Sequence, residues 1–149
     1  MRMGGDGVLF WAGKWYSNDM KMDGVVEYWL KTAEHDRETM VVLYDNAKYS
    51  DALFFGHIIL EKVLKALVVK ETKEQAPFTH NLLQLQSLSG VKLDESEINL
   101  LAEANDFNIR ARYPEQKFEF YKKCTKEFVD PYMDKIIPLY KKLWEKAKS

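Results

Sequence analysis

Cysteine is almost absent: Cys124 stands alone in a chain of 149 residues. A single thiol excludes a disulfide framework and a cysteine-based zinc centre within one chain. It also suits a reducing compartment, which makes the cytoplasm the expected location. Lysines at 122, 123 and 126 could lower its pKa. With no His nearby in sequence, an inert helical thiol is the simpler expectation. No sign of charge dominates either. The 22 Lys and Arg against 23 Asp and Glu give a net charge of -1, so no general basic field advertises nucleic acid. No apolar run has the length of a transmembrane helix. Val8 to Ala12 is too short for a signal-peptide core and lacks a small-residue cleavage site. The chain has no Gly-rich phosphate loop, which excludes P-loop and dinucleotide-binding folds. It also has no persistent strand-like alternation, repeat or low-complexity tract. What is plentiful is apolar and aromatic: 46% hydrophobic residues, with four Trp and eight Tyr. That composition suits one domain with a well-filled core or an oligomer interface.

Helical periodicity organises the chain from Gly24 onward. Val25, Trp29, Ala33, Asp36, Met40, Leu43 and Ala47 step by threes and fours along one face. Asp23 is placed to cap that helix. Ser50 or Asp51 should cap a second helix running to about Glu71, and the stretch 73–79, with Pro77, reads as a loop. A short third helix should open at Thr79 or His80 and end at Ser89-Gly90. A fourth should start at Asp94 or Ser96 and stop before Pro114. A last helical region runs from about Gln116 to Lys146, where Pro131 and Pro138 should break or bend it. The expected fold is an all-α, up-and-down bundle of four to five helices over residues 24–149. Residues 1–23 form an N-terminal arm or extension. Its aromatics favour a packed arm, on its own bundle or on a second subunit; a natural start at Met20 or Met22 is the other reading.

The second helix is unusual. From Phe54 to Leu67 it is apolar almost all the way round, with His57, Glu61, Lys62 and Lys65 set into it. Such a helix belongs inside a bundle, and charged groups are rarely buried there unpaired. His57, Glu61 and Lys65 step by four and share one stripe. Glu61 precedes Lys65 in the favoured ion-pair order. This stripe is either a weak surface salt bridge or a polar site. Asp36 interrupts an apolar face and needs donors, which a Tyr or Arg of another helix would supply; since Asp36 and Arg112 both lie on core-facing stripes, pairing with Asp36 is the structural competitor to a phosphate-binding role for Arg112. His80 suits loop-to-helix capping, and His35 should face solvent.

Four segments then carry a family resemblance. They are Trp29-x3-Ala33-x2-Asp36, Phe54-Phe55-Gly56-His57-x3-Glu61-Lys62-x2-Lys65-Ala66-Leu67, Thr79-His80-Asn81-Leu82-x2-Leu85, and Arg110-Ala111-Arg112-Tyr113-Pro114-Glu115. In this order and spacing they resemble the HEPN family of helical domains (higher eukaryotes and prokaryotes nucleotide-binding), over roughly residues 24–146. The resemblance implies a helical bundle, commonly homodimeric, that often acts beside a minimal nucleotidyltransferase in toxin–antitoxin or defence systems. Some members are metal-independent ribonucleases; others bind nucleotides or act as assembly modules.

The ribonuclease branch carries an Arg followed, four to six residues on, by a His. Arg110 and Arg112 are present, but no His follows His80. A proton carrier working near neutral pH is therefore missing from the motif, and no catalytic residue is assigned. The expected function is a nucleotide-binding or partner-binding module. The alternatives are a divergent ribonuclease using Arg112 with an unusual base, and a dimeric scaffold without a small ligand. The nucleotide-binding candidates are His57, Lys62, Lys65, Arg110 and Arg112, since Lys and Arg can meet phosphate oxygens. Asp36, Glu61, His80 and Tyr113 are candidates for a structural polar core. No His-x3-His or Glu-x2-His pair exists, so no metal is assigned. The expected cofactor set is empty apart from a bound nucleotide. Expected partners are a second copy, a nucleotidyltransferase, and a nucleotide or RNA, with no membrane.

Overall fold

A computed structural model describes the backbone of residues 2–3, 9–11, 14–16 and 18–149, and side chains from Met22 onward. The domain is all-α. Its helices are α1 (Asn18–Asp45), α2 (Tyr49–Thr72), α3 (Leu82–Ser89), α4 (Glu95–Arg112), α5 (Pro114–Lys123) and α6 (Lys126–Lys148). Three short strands precede them: β1 (Arg2–Met3), β2 (Leu9–Trp11) and β3 (Lys14–Tyr16). They pair antiparallel in the order β1-β2-β3, with Phe10 opposite Trp15. The sequence showed no strand there, because runs this short carry no alternation to read. β2 and β3 lie against α1. Where the arm's aromatic side chains pack lies outside the described residues.

The apolar circumference of α2 has a direct structural cause. This helix lies against all five others and buries thirteen residues, from Ala52 to Val69. Gly56 permits the closest approach to α6. A Cβ at that position would stand 3.0 Å from Ile136 Cδ1, tighter than a relaxed carbon contact. Leu53, Leu60, Leu64, Leu85, Leu101, Ile136 and Tyr140 form the centre of the core.

Local signals set most helix ends, with corrections. α1 begins at Asn18, so Asp23 lies within it and caps nothing. α1 stops at Asp45, and Ala47 turns the chain with φ 61° instead of continuing the helical face. Lys48, without a side-chain cap bond, precedes α2, in place of a Ser50 or Asp51 cap. Asn81 caps α3, its side chain accepting from the Leu83 and Gln84 amides. Gly90 ends that helix at φ 72°, the left-handed conformation glycine adopts without penalty. Asp94 and Glu97 form a reciprocal capping box on α4. Pro114 ends α4 and opens α5 at N1, where its missing N–H costs nothing.

The last helical region divides at Cys124-Thr125, not at its prolines. Thr125 accepts from the Phe128 amide and restarts the helix. Pro131 and Pro138 sit inside α6 on its exposed side. The carbonyls they leave without an amide donor belong to Glu127 and Asp134, both exposed residues that water can reach. The helix therefore runs through both. No described helix is long and apolar enough to cross a membrane.

Candidate functional site

The polar groups of α2 organise two adjoining features, a seam against α4 and a cleft against α1. The seam begins at the α2–α3 connection. His57, fully buried, donates from Nε2 to the His80 carbonyl at 2.8 Å. A carbonyl only accepts, so the Nδ1 of neutral His57 carries a lone pair. That atom has no hydrogen-bond partner among the described residues and lies 3.9 Å from Glu61 Oε1. Burial holds the His57 pKa below the usual imidazole value. The His80 carbonyl and the Glu61 charge oppose the shift, while His80 and Arg112 add to it.

Glu61 is the hub. Its Oε1 accepts from His80 Nδ1 at 2.8 Å and its Oε2 from Lys65 Nζ at 3.0 Å. The Glu61 and Lys65 side chains are only 12% and 8% exposed. The exposed-stripe reading therefore fails for this pair: α1 and the loop cover it. His80 is mostly exposed, so it hangs outside the polar core expected for it. The same loop is tied to α4, where Asn105 accepts from the Leu82 amide and donates to Asn81.

Farther along the seam, Arg112 is exposed. Its Nε donates to Asn108 Oδ1 at 2.7 Å, and its guanidinium lies 5.3 Å from the centre of the Phe54 ring. No carboxylate among the described residues pairs with it, whereas Arg110 is held by Asp106 at 2.9 Å. The Asp36–Arg112 pair does not form. Asp36 is taken by Lys62 of α2, because α1 packs along α2 while Arg112 projects at the far end of α4. Tyr113 is about half exposed at the α4–α5 junction and not in a polar core; Pro114 turns the chain away there.

The cleft lies between α1, α2 and the α2–α3 loop. Its walls include Tyr28, Trp29, Lys62, Lys65, Gln75 and Phe78, around about 280 Å³. Lys65 Nζ stands 5.3 Å from the centre of the Trp29 ring, a cation–π contact. Phe78 is 97% exposed at the rim. Gln75 Nε2 is buried without a hydrogen-bond partner among the described residues. The carboxylates that hold the two lysines, Asp36 and Glu61, are not part of the lining. The cleft's polar edge is therefore rich in donors.

Of the five binding candidates, the structure brings Lys62 and Lys65 together in this cleft. His57 and Arg112 belong to the seam, and Arg110 stands apart beside Asp106. Sequence reasoning missed Tyr28, Gln75 and Phe78. An aromatic beside Pro77 in an otherwise polar loop was the available signal for Phe78. Cys124 is buried and its thiol pKa is pushed up to about 11 by desolvation. Among the described residues no group of three His, Cys, Asp or Glu could hold a metal ion.

The structure is thus a helical-bundle domain that carries an exposed arginine, a buried His–Glu–Lys network and a donor-lined aromatic cleft. The chain belongs to the HEPN domain family, which it matches over residues 26–146. Its fold is similar to the crystal structure of TT1696 from Thermus thermophilus. The two share 19% identity with a TM-score of 0.68, over 82% of this chain and 97% of that one. At that identity the likeness speaks to fold alone. No curated protein matches the chain.

Proposed function

We propose that this HEPN domain is a non-catalytic binding module that takes a nucleotide in the cleft between α1, α2 and the α2–α3 loop. The observation that carries the reading is the placement of Lys62 and Lys65 among Tyr28, Trp29 and Phe78, with their carboxylates outside the lining. A base would stack on the aromatic wall and the phosphates would meet the two ammonium groups. The volume, about 280 Å³, lies just below the ligand-pocket range of roughly 300–1,000 Å³, which favours a ligand no larger than a mononucleotide. In this reading the domain works in the cytoplasm as a homodimer and as the partner of a minimal nucleotidyltransferase, in a toxin–antitoxin or defence setting. Isothermal titration with ATP and GTP tests the site. Lys62→Ala should weaken binding about tenfold with the fold intact, as expected for one lost charge-assisted contact. Equal affinity of wild type and Lys62→Ala would remove the cleft from the reading.

One observation favours a second reading, a divergent ribonuclease. His80 is exposed and held by Glu61, and Arg112 carries no paired carboxylate among the described residues. An arginine to hold a phosphate and a carboxylate-oriented imidazole to move a proton are the parts that phosphodiester cleavage needs. Cutting of single-stranded RNA in EDTA, lost in both His80→Ala and Arg112→Ala, would establish it. No cutting at high protein concentration would exclude it.

A further inference from the structure

The outermost helix of the bundle is α5. Of its ten residues only Phe120 is buried, and it packs chiefly on α4 and α2. Yet its outer face is not polar. Phe118 is 63% and Tyr121 66% exposed, one helical turn apart, and exposed Ile109 and Tyr113 precede them on α4 and at the junction. Half of the large exposed hydrophobics among the described residues therefore fall between Ile109 and Tyr121. Clustering of this kind marks an interaction surface.

We propose that the α5 face packs against the α5 face of a second copy of this chain, related by a two-fold axis near Phe118. The proposal rests on the homodimer clause of the functional reading and gives it a surface.

The charge order along α5 selects this occupant. Glu115 opens the helix and Lys122 and Lys123 close it. Glu115, Phe118 and Lys122 share one stripe, three and four residues apart. Two such helices laid antiparallel about Phe118 set Glu115 of each copy against Lys122 of the other. The rings meet at the centre and the helix dipoles oppose, so the face is complementary to itself, as a two-fold interface requires. A purely acidic or purely basic partner would meet like charge at one end. Lys122 lies over the Phe118 ring of the same helix, 4.4 Å from its centre, which sets its charge beside the proposed axis on the exposed face. Its contact to Glu119 is long, 3.5 Å, and both side chains are more than half exposed. A ten-residue helix is only about 15 Å long, while a stable dimer buries roughly 800 Å² on each partner. Ile109, Arg112 and Tyr113 must therefore extend the contact at its edge.

Charge-swap complementation in the full chain tests this. Sedimentation velocity or native mass spectrometry should show a dimer at micromolar concentration. Phe118→Glu, at an exposed position that the fold does not need, should raise the dimer dissociation constant at least tenfold with an unchanged circular dichroism spectrum. Glu115→Lys and Lys122→Glu should each weaken self-association. An equal mixture of the two, or both changes in one chain, should restore the dimer, because each swapped pair is again opposite in sign. Wild-type protein that stays monomeric at concentrations on the order of 100 µM, where even weak two-fold contacts of standard size associate, would overturn both the dimer and the face. A dimer indifferent to Phe118→Glu and to the swaps would overturn the face and leave the dimer standing. Swaps that weaken the dimer without restoration in the mixture would overturn the antiparallel register and with it the proposal.

Discussion

Truncation of the hub carboxylate, Glu61→Ala, should be among the most destabilising changes in the chain. The wild-type carboxylate accepts from Lys65 at 3.0 Å and from His80 at 2.8 Å, inside a region where Glu61 and Lys65 are 12% and 8% exposed. Its removal leaves the Lys65 ammonium buried beside Trp29 with only a cation–π contact. Breaking a buried pair from one side costs about 3–5 kcal/mol, because the remaining charge is left without compensation. The loss of the His80 contact adds less than about 1 kcal/mol, since His80 is mostly exposed. Lys65→Met is the contrasting change. It keeps a long apolar stem against Trp29 and leaves Glu61 bonded to His80, so it should cost about 1–2 kcal/mol. Urea unfolding followed by far-ultraviolet circular dichroism gives both values from the midpoint shift at constant slope. A loss under about 1 kcal/mol for Glu61→Ala, the range of an exposed pair, would refute the hub role. So would a larger loss for Lys65→Met than for Glu61→Ala.

Three other outcomes are expected. Gly56→Ala gains roughly 1 kcal/mol of helix propensity but drives a methyl to 3.0 Å from buried Ile136. Overpacking costs about 1–3 kcal/mol, so its melting temperature should fall; a rise would show that α6 yields easily. Burial lowers the folded-state pKa of His57 below an unfolded value of about 6.5. The unfolded chain therefore takes the proton first. The contribution of His57 is intact above about pH 6.5 and is lost as pH falls toward the folded value. The stability of His57→Gln, measured against pH, should lack that part of the acid slope; an identical slope would assign it elsewhere. Cys124, with its thiol pushed up to about 11, should react with iodoacetamide at mildly alkaline pH only after unfolding. Rapid labelling of the folded protein would contradict its burial.

How much could be read from the sequence differs between fold and site. The all-round apolar helix from Phe54 to Leu67 announced its own central place, and α2 does lie against every other helix. Asp94 and Gly90 marked helix ends correctly because caps depend on local chemistry. Pro131 and Pro138 did not mark the break, which falls at Cys124-Thr125. A proline inside a helix both removes an amide donor and crowds the carbonyl four residues back, and here both carbonyls belong to exposed residues that water can reach. The site was harder to read for a related reason. His57, Glu61 and Lys65 were legible as one stripe, and their spacing matches the Glu61–Lys65 bond. Which partner Asp36 takes depended on how α1 slides along α2, a tertiary fact with no local signal. Lys62 was the answer, not Arg112. The cleft itself joins residues from Tyr28 to Phe78 through loop geometry, and no periodicity encodes that.

Whether this HEPN domain holds a nucleotide between α1 and α2 is tested most directly by native mass spectrometry of the full chain. Spectra of wild type and Lys62→Ala would be compared with and without added ATP or GTP. The expected result is a nucleotide-bound species in the wild type that is depleted about tenfold in Lys62→Ala, the effect of one lost charge-assisted contact. A wild-type protein that stays free of nucleotide at millimolar ATP and GTP would contradict the proposal.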